Sequence, residues 1–193
     1  MDENLAKIRH ERSKKDFPFL RLEDGEYVEM AFKRAKVCLY MIMAGLFFTV
    51  VLVLLGFLLA LIGQDMLDDM GKNFMFIILI ALLGAGFIMA FVAIKTYNGN
   101  KLFITNKRVI QMLMPSLVST STNAIDLASV EDVSFHRDGI VQQLFKFGTL
   151  RLATVGDETT YTFKYSDVTD DEVEGISKIV TKAKKKGKKD DDD

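Results

Sequence analysis

Two long apolar segments dominate the pattern of the chain. Residues 37–62 and residues 74–94 form runs of 26 and 21 residues that contain no charged side chain. At a rise of about 1.5 Å per residue, a helix of the shorter length spans roughly the 30 Å hydrocarbon core of a bilayer. Because a backbone in lipid must satisfy its own hydrogen bonds, both runs predict transmembrane helices.

Two other interpretations of these segments fit less well. A signal peptide has an apolar region of about 7–15 residues near the N-terminus, whereas the first run begins at residue 37 and is longer. A buried helical hairpin of a soluble protein is disfavoured because both runs are apolar around their whole circumference. Small residues four positions apart, such as Gly86 and Ala90, predict instead that the two helices pack closely against each other.

The distribution of basic residues predicts the orientation of the hairpin. Four lysines or arginines lie close before the first run, four lie close after the second, and one lies in the loop of residues 63–73 between them. Cytoplasmic segments carry the excess of such residues, so both termini are predicted to be cytoplasmic, with residues 63–73 outside. The residues counted are Arg21, Lys33, Arg34 and Lys36, then Lys72, then Lys95, Lys101, Lys107 and Arg108.

The N-terminal arm, residues 1–36, contains two segments of different composition. Its first part is rich in charge, which predicts a mobile or partly helical segment. Residues 17–20, with the sequence Phe-Pro-Phe-Leu, form an apolar patch. Such a patch must dock either in the membrane interface or against a folded domain.

Beyond residue 98, short apolar and polar runs bounded by turn residues indicate β-strands. Asn106-Lys107 and residues 156–158 are predicted hairpin turns. Residues 140–147 are apolar without alternation and predict a loop with one helical turn. The six predicted strands are 101–105, 108–114, 119–127, 130–137, 148–155 and 159–165.

A C-terminal amphipathic helix follows the strands. Thr169 and Glu172 fit a capping box, in which each side chain bonds the other residue's backbone amide. The tail, residues 184–193, is a lysine cluster followed by aspartates, and like-charge blocks predict disorder. Residues 98–183 therefore predict one antiparallel β-domain closed by a helix. The helix has one apolar stripe, made by Val173, Ile176, Val180 and Ala183.

Three sequence motifs around the apolar hairpin carry a family resemblance. LEDGE at residues 22–26, LFITNKRVIQ at 102–111 and LFKFGTLRLAT at 144–154 occur in an order that resembles small bacterial membrane proteins with a pleckstrin-homology-like (PH-like) domain. The likeness covers roughly residues 20–181 and departs from the family pattern at Lys36 and Val168.

The resemblance implies an α+β membrane protein. Its expected parts are a two-helix transmembrane hairpin and a cytoplasmic PH-like antiparallel split β-barrel of about seven strands, capped by a C-terminal helix. It also favours docking of residues 17–20 against the domain, with residues 26–32 added to the sheet. No catalytic activity is implied.

Composition excludes several function classes. The 25 basic and 26 acidic side chains give a net charge of −1, which does not suit a nucleic-acid-binding domain. One cysteine and two histidines rule out a disulfide framework and argue against a zinc site. No nucleophile, metalloprotease or phosphate-loop motif is present. We therefore expect a protein that is not an enzyme and needs no cofactor or metal.

The expected function is a binding or scaffolding module that the hairpin holds at the cytoplasmic face of the cell membrane. It is predicted to act on an unknown protein partner, with homo-oligomerisation left open. The alternative is binding of anionic lipid headgroups by Lys101, Lys107 and Arg108, because PH domains generally bind phosphoinositides around their first hairpin. Cations near a membrane surface contribute about 1 kcal/mol each. A plainer interpretation makes Lys107 a solvated turn residue and Arg108 a structural one.

Overall fold

The computed structural model describes residues 2–63, 69–154 and 160–190. The described part contains five α-helices, seven strands and a short 3-10 turn. In chain order these are α1 (Asp2–Asp16), β1 (Val28–Lys33), α2 (Lys36–Ile62), α3 (Asp69–Gly99), β2 (Lys101–Thr105), β3 (Arg108–Ser116), β4 (Ser119–Asp126), the turn Leu127–Ser129, β5 (Val130–His136), α4 (Ile140–Leu144), β6 (Gly148–Thr154), β7 (Thr160–Ser166) and α5 (Asp170–Asp190).

The seven strands form two antiparallel sheets. The first has the order β1-β2-β3-β4 and the second the order β5-β6-β7. A single bridge between Arg34 and Ser166 joins β1 to β7 at one corner. At the other corner the 3-10 turn redirects the chain between β4 and β5, and the Asp126 carboxylate accepts a 2.9 Å hydrogen bond from the Ala128 amide there. The expected split barrel is therefore met only in part, because the described strands do not close into a barrel.

The N-terminal arm contributes to the first sheet. Strand β1 pairs with β2 in a register that places Phe32 opposite Leu102, which confirms the extended segment expected there. Phe17 and Phe19 lie against Phe103, with ring centroids 5.2 and 5.7 Å away. The apolar patch of residues 17–20 thus docks on the outer face of this sheet, as the resemblance implied.

Helix α5 covers the inner faces of both sheets. The Thr169 amide donates to Glu172 Oε2 at 2.8 Å, and the Glu172 amide donates to Thr169 Oγ1 at 3.4 Å, so the capping box is confirmed. The apolar stripe of α5 enters the core as predicted. The buried core residues are Phe32, Leu102, Ile104, Val109, Ile125, Leu127, Val130, Leu150, Leu152, Phe163, Val168, Ile176 and Val180.

Helices α2 and α3 pack against each other and leave most of their apolar surface uncovered. A Cβ atom on Gly86 would lie 2.9 Å from the methyl group of Thr49, so glycine permits the close approach there. The rings of Phe57 and Phe76 contact each other at a tilt of 51°, with centroids 5.6 Å apart. Both helices are long and apolar enough to cross a membrane.

Several boundaries differ from the sequence prediction. Helix α3 runs from Asp69 to Gly99, whereas the predicted span was 74–94 with an outer loop at 63–73, of which residues 64–68 lie outside the described part. Apolar composition marks only the uncharged stretch of this helix, and the polar residues that flank the stretch continue the same helix. After α3 the β-domain accordingly resumes with β2 at Lys101 rather than at residue 98, and β1 of the N-terminal arm belongs to its first sheet.

The C-terminal tail also differs. Helix α5 continues to Asp190, so the disorder predicted for residues 184–193 is wrong as far as residue 190. Lysine is a good helix former, and cations near a helix C-terminus interact favourably with its dipole. Residues 191–193 lie outside the described part, as do residues 156–158 of the predicted second hairpin turn.

Gly148 occupies a position where a larger residue cannot fit. A Cβ atom there would collide with the carbonyl oxygen of His136 and lie 2.8 Å from the ring of Phe135. Because the first obstacle is backbone, it cannot rotate away, and strands β5 and β6 would have to separate. We expect Gly148→Ala to lower the free energy of unfolding by about 1–3 kcal/mol, measured by denaturation of the full chain in detergent.

Gly175→Ala in α5 is the matched control. Its Cβ would meet only the flexible methyl end of Met30, at 2.7 Å, and alanine favours the helix. This variant should stay close to the wild type in stability. Equal losses in the two variants would contradict the account of Gly148.

Candidate functional site

The three basic residues predicted to bind headgroups lie at two ends of the β2–β3 hairpin. Lys101 begins β2, one residue after the end of α3, and pairs with Met112. Lys107 and Arg108 lie at the turn, five residues of strand away. At about 3.3 Å per residue the two ends are roughly 16 Å apart. The structure therefore brings Lys107 and Arg108 together but not Lys101.

Arg108 forms a two-point ion pair with Glu26. Its Nε lies 3.0 Å from Glu26 Oε1 and its Nη2 lies 3.0 Å from Oε2. The Glu26 side chain is fully buried, and the Arg108 side chain is one-quarter exposed. The Arg108 Nη2 also donates to the Arg21 carbonyl at 2.7 Å. This geometry ties the guanidinium to the LEDGE segment, as the structural interpretation of Arg108 expects.

Further hydrogen bonds satisfy the buried carboxylate. The Glu23 amide donates to Glu26 Oε2 at 2.8 Å, and the Thr105 hydroxyl lies 2.8 Å from Oε1. Burial by itself would raise the pKa of Glu26, but the Arg108 guanidinium, the Glu23 amide and the Thr105 hydroxyl outweigh it, so the pKa lies below its ordinary value. Glu26 is thus an ionised, fully partnered group.

Lys107 also faces the LEDGE segment. Its ammonium lies 3.4 Å from Glu23 Oε2 and donates to the Asp24 carbonyl at 3.2 Å. The side chain is nearly half exposed. The Asn106 side chain donates to the Gly25 carbonyl at 3.1 Å and accepts from the Tyr27 amide at 3.0 Å. The hairpin turn and the LEDGE segment therefore form one unit, which we call the LEDGE clamp (residues 22–27 with residues 105–108).

Lys101 contacts the docked aromatic patch. Its ammonium lies 4.7 Å from the ring centroid of Phe19, a cation–π distance. All three predicted headgroup contacts thus have partners inside the chain. Binding of lipid by them stays a prediction.

Helix α1 contains contacts that the sequence did not reveal. The His10 Nδ1 donates to the Glu26 carbonyl at 2.5 Å, and the buried Ser13 hydroxyl accepts from the Val28 amide at 3.0 Å. Both contacts join α1 to the start of β1. A charge-rich helix offers no periodic signal for such docking, so only the isolated His and Ser could have suggested it.

The described residues offer no metal site. Within residues 2–63, 69–154 and 160–190, no group of three or more His, Cys, Asp or Glu side chains is placed to hold an ion. His136 lies at the exposed end of β5, and Cys38 is a free thiol in the first turn of α2.

Strand β4 is a free edge of the first sheet. It pairs with β3, and no other described strand pairs with it. Its first residues, Ser119 to Thr122, are exposed and polar. An unpaired strand edge presents backbone donors and acceptors that an extended peptide can bind.

A protein-family model described as "Bacterial PH domain" matches residues 39–183. The match includes most of α2, all of α3, the strands β2 to β7 and most of α5. The chain belongs to the bacterial PH domain family. The matched range begins after the LEDGE segment, so the N-terminal half of the LEDGE clamp lies outside it.

Two solved structures of PH domain proteins resemble this bacterial PH domain protein. A DUF1696 family protein with a pleckstrin-homology domain from Shewanella loihica PV-4 is 11% identical, with a TM-score of 0.39, and the match covers 91% of this chain and 96% of that one. A pleckstrin homology domain from Shewanella amazonensis SB2B is 13% identical, with a TM-score of 0.39 and coverage of 89% and 94%. No curated protein matches the chain.

Proposed function

We propose that this bacterial PH domain protein is a membrane-anchored binding or scaffolding module that acts at the cytoplasmic face through protein–protein interaction. The main support for the proposal is the contrast between the buried apolar core of the β-domain and the exposed apolar side chains of α2 and α3. The core of the β-domain is built from the strands, the 3-10 turn, α5 and the segment that precedes α5, without residues of α2 or α3. Those two helices instead expose large apolar side chains, of which Phe47 at 70% and Ile80 at 70% are examples.

Exposed apolar surface of this extent needs a partner or a bilayer. The two runs have the length of a bilayer core, and the basic residues lie at the ends that join the β-domain. A membrane therefore accounts for α2 and α3 and restricts the domain to its surface. Confinement of a binding domain near a membrane raises its effective concentration for partners located there.

The free edge of β4 favours a protein partner. Backbone pairing along an edge strand gives affinity without a deep pocket, and the exposed hydroxyl side chains of β4 keep the edge soluble between encounters. Headgroup binding through the basic hairpin is the weaker candidate because Arg108 is committed to the buried Glu26. The two ends of β2 also separate Lys101 from the other cations.

A photo-crosslinking residue at Thr120 tests the protein-partner proposal. Thr120 is exposed on β4, and the matched control is Thr181, which is exposed on α5. The full chain in native membranes should give a discrete protein adduct from position 120 that is absent from position 181, and mass spectrometry distinguishes a second copy from another protein. Indistinguishable patterns from the two positions would overturn the use of this edge.

The headgroup alternative has its own readout in nanodiscs. If the basic hairpin binds headgroups, the full chain should unfold at a higher temperature in phosphatidylglycerol nanodiscs than in phosphatidylcholine nanodiscs. The Lys101→Ala and Lys107→Ala variants should lose this difference. Arg108 is left unchanged in this comparison, because its replacement disturbs the fold. A difference that both variants retain would exclude these lysines as the headgroup contacts.

A further inference from the structure

Helix α4 carries a cluster of exposed apolar residues that the core does not use. Ile140 is 84% exposed and Leu144 is 72% exposed, and Val141 and Phe145 are each about half exposed. Four neighbouring apolar side chains in one surface segment are unusual for a face that meets only water. Whether a bilayer covers these side chains depends on where α4 lies relative to α2.

A cleft of about 510 Å³ lies between α4 and the first two turns of α2. One wall contains Met41 and Ile42 of α2, and the opposite wall contains Ile140 and Val141 of α4. Helix α2 begins at Lys36, so at about 1.5 Å per residue Met41 and Ile42 lie roughly 8–9 Å along it. The apolar residues of α4 therefore lie beside the first two turns of α2, where its apolar run begins.

Charged side chains of both signs line the cleft, the Arg34 guanidinium and the Asp138 carboxylate. Arg34 lines the cleft just before α2, and its Nε is buried without a hydrogen-bond partner among the described residues. The Tyr97 hydroxyl donates to the Arg34 carbonyl at 3.0 Å, which fixes Arg34 beside the end of α3. A guanidinium at this level matches the phosphates of phospholipid headgroups.

A second apolar tip lies at the same end of the domain. The Asn100 side chain bonds both the amide and the carbonyl of Met114, at 3.3 Å each, so the β3–β4 turn projects from beside the end of α3. Leu117 and Val118 lie at its tip, and Val118 is 96% exposed. The opposite end of the domain, by contrast, carries the charged residues of the LEDGE clamp.

We propose that α4 inserts into the headgroup–acyl boundary of the cytoplasmic leaflet, so that phospholipid lies against its cleft with α2. Interfacial segments bury their apolar face about 5–10 Å into the headgroup–acyl boundary, which agrees with the position of α4 beside the first turns of α2. The inference rests on the proposed function, because it requires α2 to span the bilayer. Together with the α2–α3 hairpin and the tip at Leu117 and Val118, α4 would attach the domain to the membrane at three points. These attachments would fix the tilt of the domain, so that the edge of β4 keeps one orientation.

The test places a fluorescent NBD label at single cysteines in the full chain, with Cys38 replaced by alanine. The chain is reconstituted in phosphatidylethanolamine and phosphatidylglycerol vesicles that contain lipids with a nitroxide on the acyl chain. A label at Leu144 should emit at shorter wavelength and lose most of its fluorescence to the nitroxide. The same label at Ala128, exposed beside the LEDGE clamp end of the sheet, should show neither change.

A third label at Phe47, in the middle of α2, separates the two possible failures. Quenching at Phe47 and Leu144 but not at Ala128 supports the inference. Quenching at Phe47 with none at Leu144 overturns it and leaves the membrane anchor intact. Absence of quenching at Phe47 overturns the anchor itself, and with it the proposed role of α4.

Discussion

Replacing Arg108 with alanine is expected to lower the free energy of unfolding of the β-domain by about 3–5 kcal/mol. The variant leaves the Glu26 carboxylate fully buried without its cation, and that carboxylate cannot recover the lost partner from water. Chemical denaturation of the full chain in detergent measures the loss.

Lys107→Ala is the matched control for this prediction. Lys107 is the neighbouring cation of the same turn, but it is nearly half exposed, so its ion pair with Glu23 should contribute less than about 1 kcal/mol. The double variant Arg108→Ala, Glu26→Gln should lose less stability than the sum of the losses in its two single variants. Equal losses from Arg108→Ala and Lys107→Ala would contradict a buried, structural role for Arg108.

The same carboxylate makes stability dependent on pH. The pKa of Glu26 in the fold lies below its ordinary value of 4.5, so its contribution is fully present above about pH 4.5 and is lost as the pH falls through the folded pKa. Acid should therefore destabilise the wild type more steeply than Glu26→Gln below pH 4.5. Parallel pH profiles of the two proteins would show that Glu26 is not held ionised.

Ile176→Ala is the second substitution with a large expected effect, a loss of about 2–5 kcal/mol. Ile176 is fully buried in the centre of the α5 stripe, where the helix covers the two sheets that do not close on each other. The cavity would weaken the attachment of α5 to both sheets. Hydrogen exchange of the full chain should show faster exchange throughout α5 and at the 3-10 turn beneath it.

Thr181→Ala provides the control on the same helix. Its hydroxyl donates only to the Ser177 carbonyl on the exposed side of α5, at 2.8 Å, so its loss should change the stability little. If Ile176→Ala were equally mild, α5 would not be the cover of the β-domain core.

Local patterns predicted the elements that depend on neighbouring residues. The capping box of Thr169 and Glu172 lies within one turn of chain, and its hydrogen bonds form as expected. The single helical turn at α4 was likewise visible from its apolar, non-alternating run. Such features need no knowledge of distant segments.

The LEDGE clamp could not be derived in this way. Glu26 and Arg108 are 82 residues apart, with both apolar helices between them, and nothing in either segment specifies the other as its partner. The basic character of Lys107 and Arg108 suggested a ligand, whereas the docked N-terminal arm supplies their acidic partners. The docking of α1 through His10 and Ser13 was missed for the same reason, since it depends on tertiary placement rather than on periodicity.

The most direct test of the account is the membrane topology of the full chain. We expect the protein to remain in the membrane pellet after alkaline carbonate extraction. In a Cys38→Ala background, a cysteine at Ala128 should react with a membrane-impermeant maleimide only after the cells are permeabilised. Release into the carbonate supernatant, or labelling of position 128 in intact cells, would contradict a domain held by α2 and α3 at the cytoplasmic face.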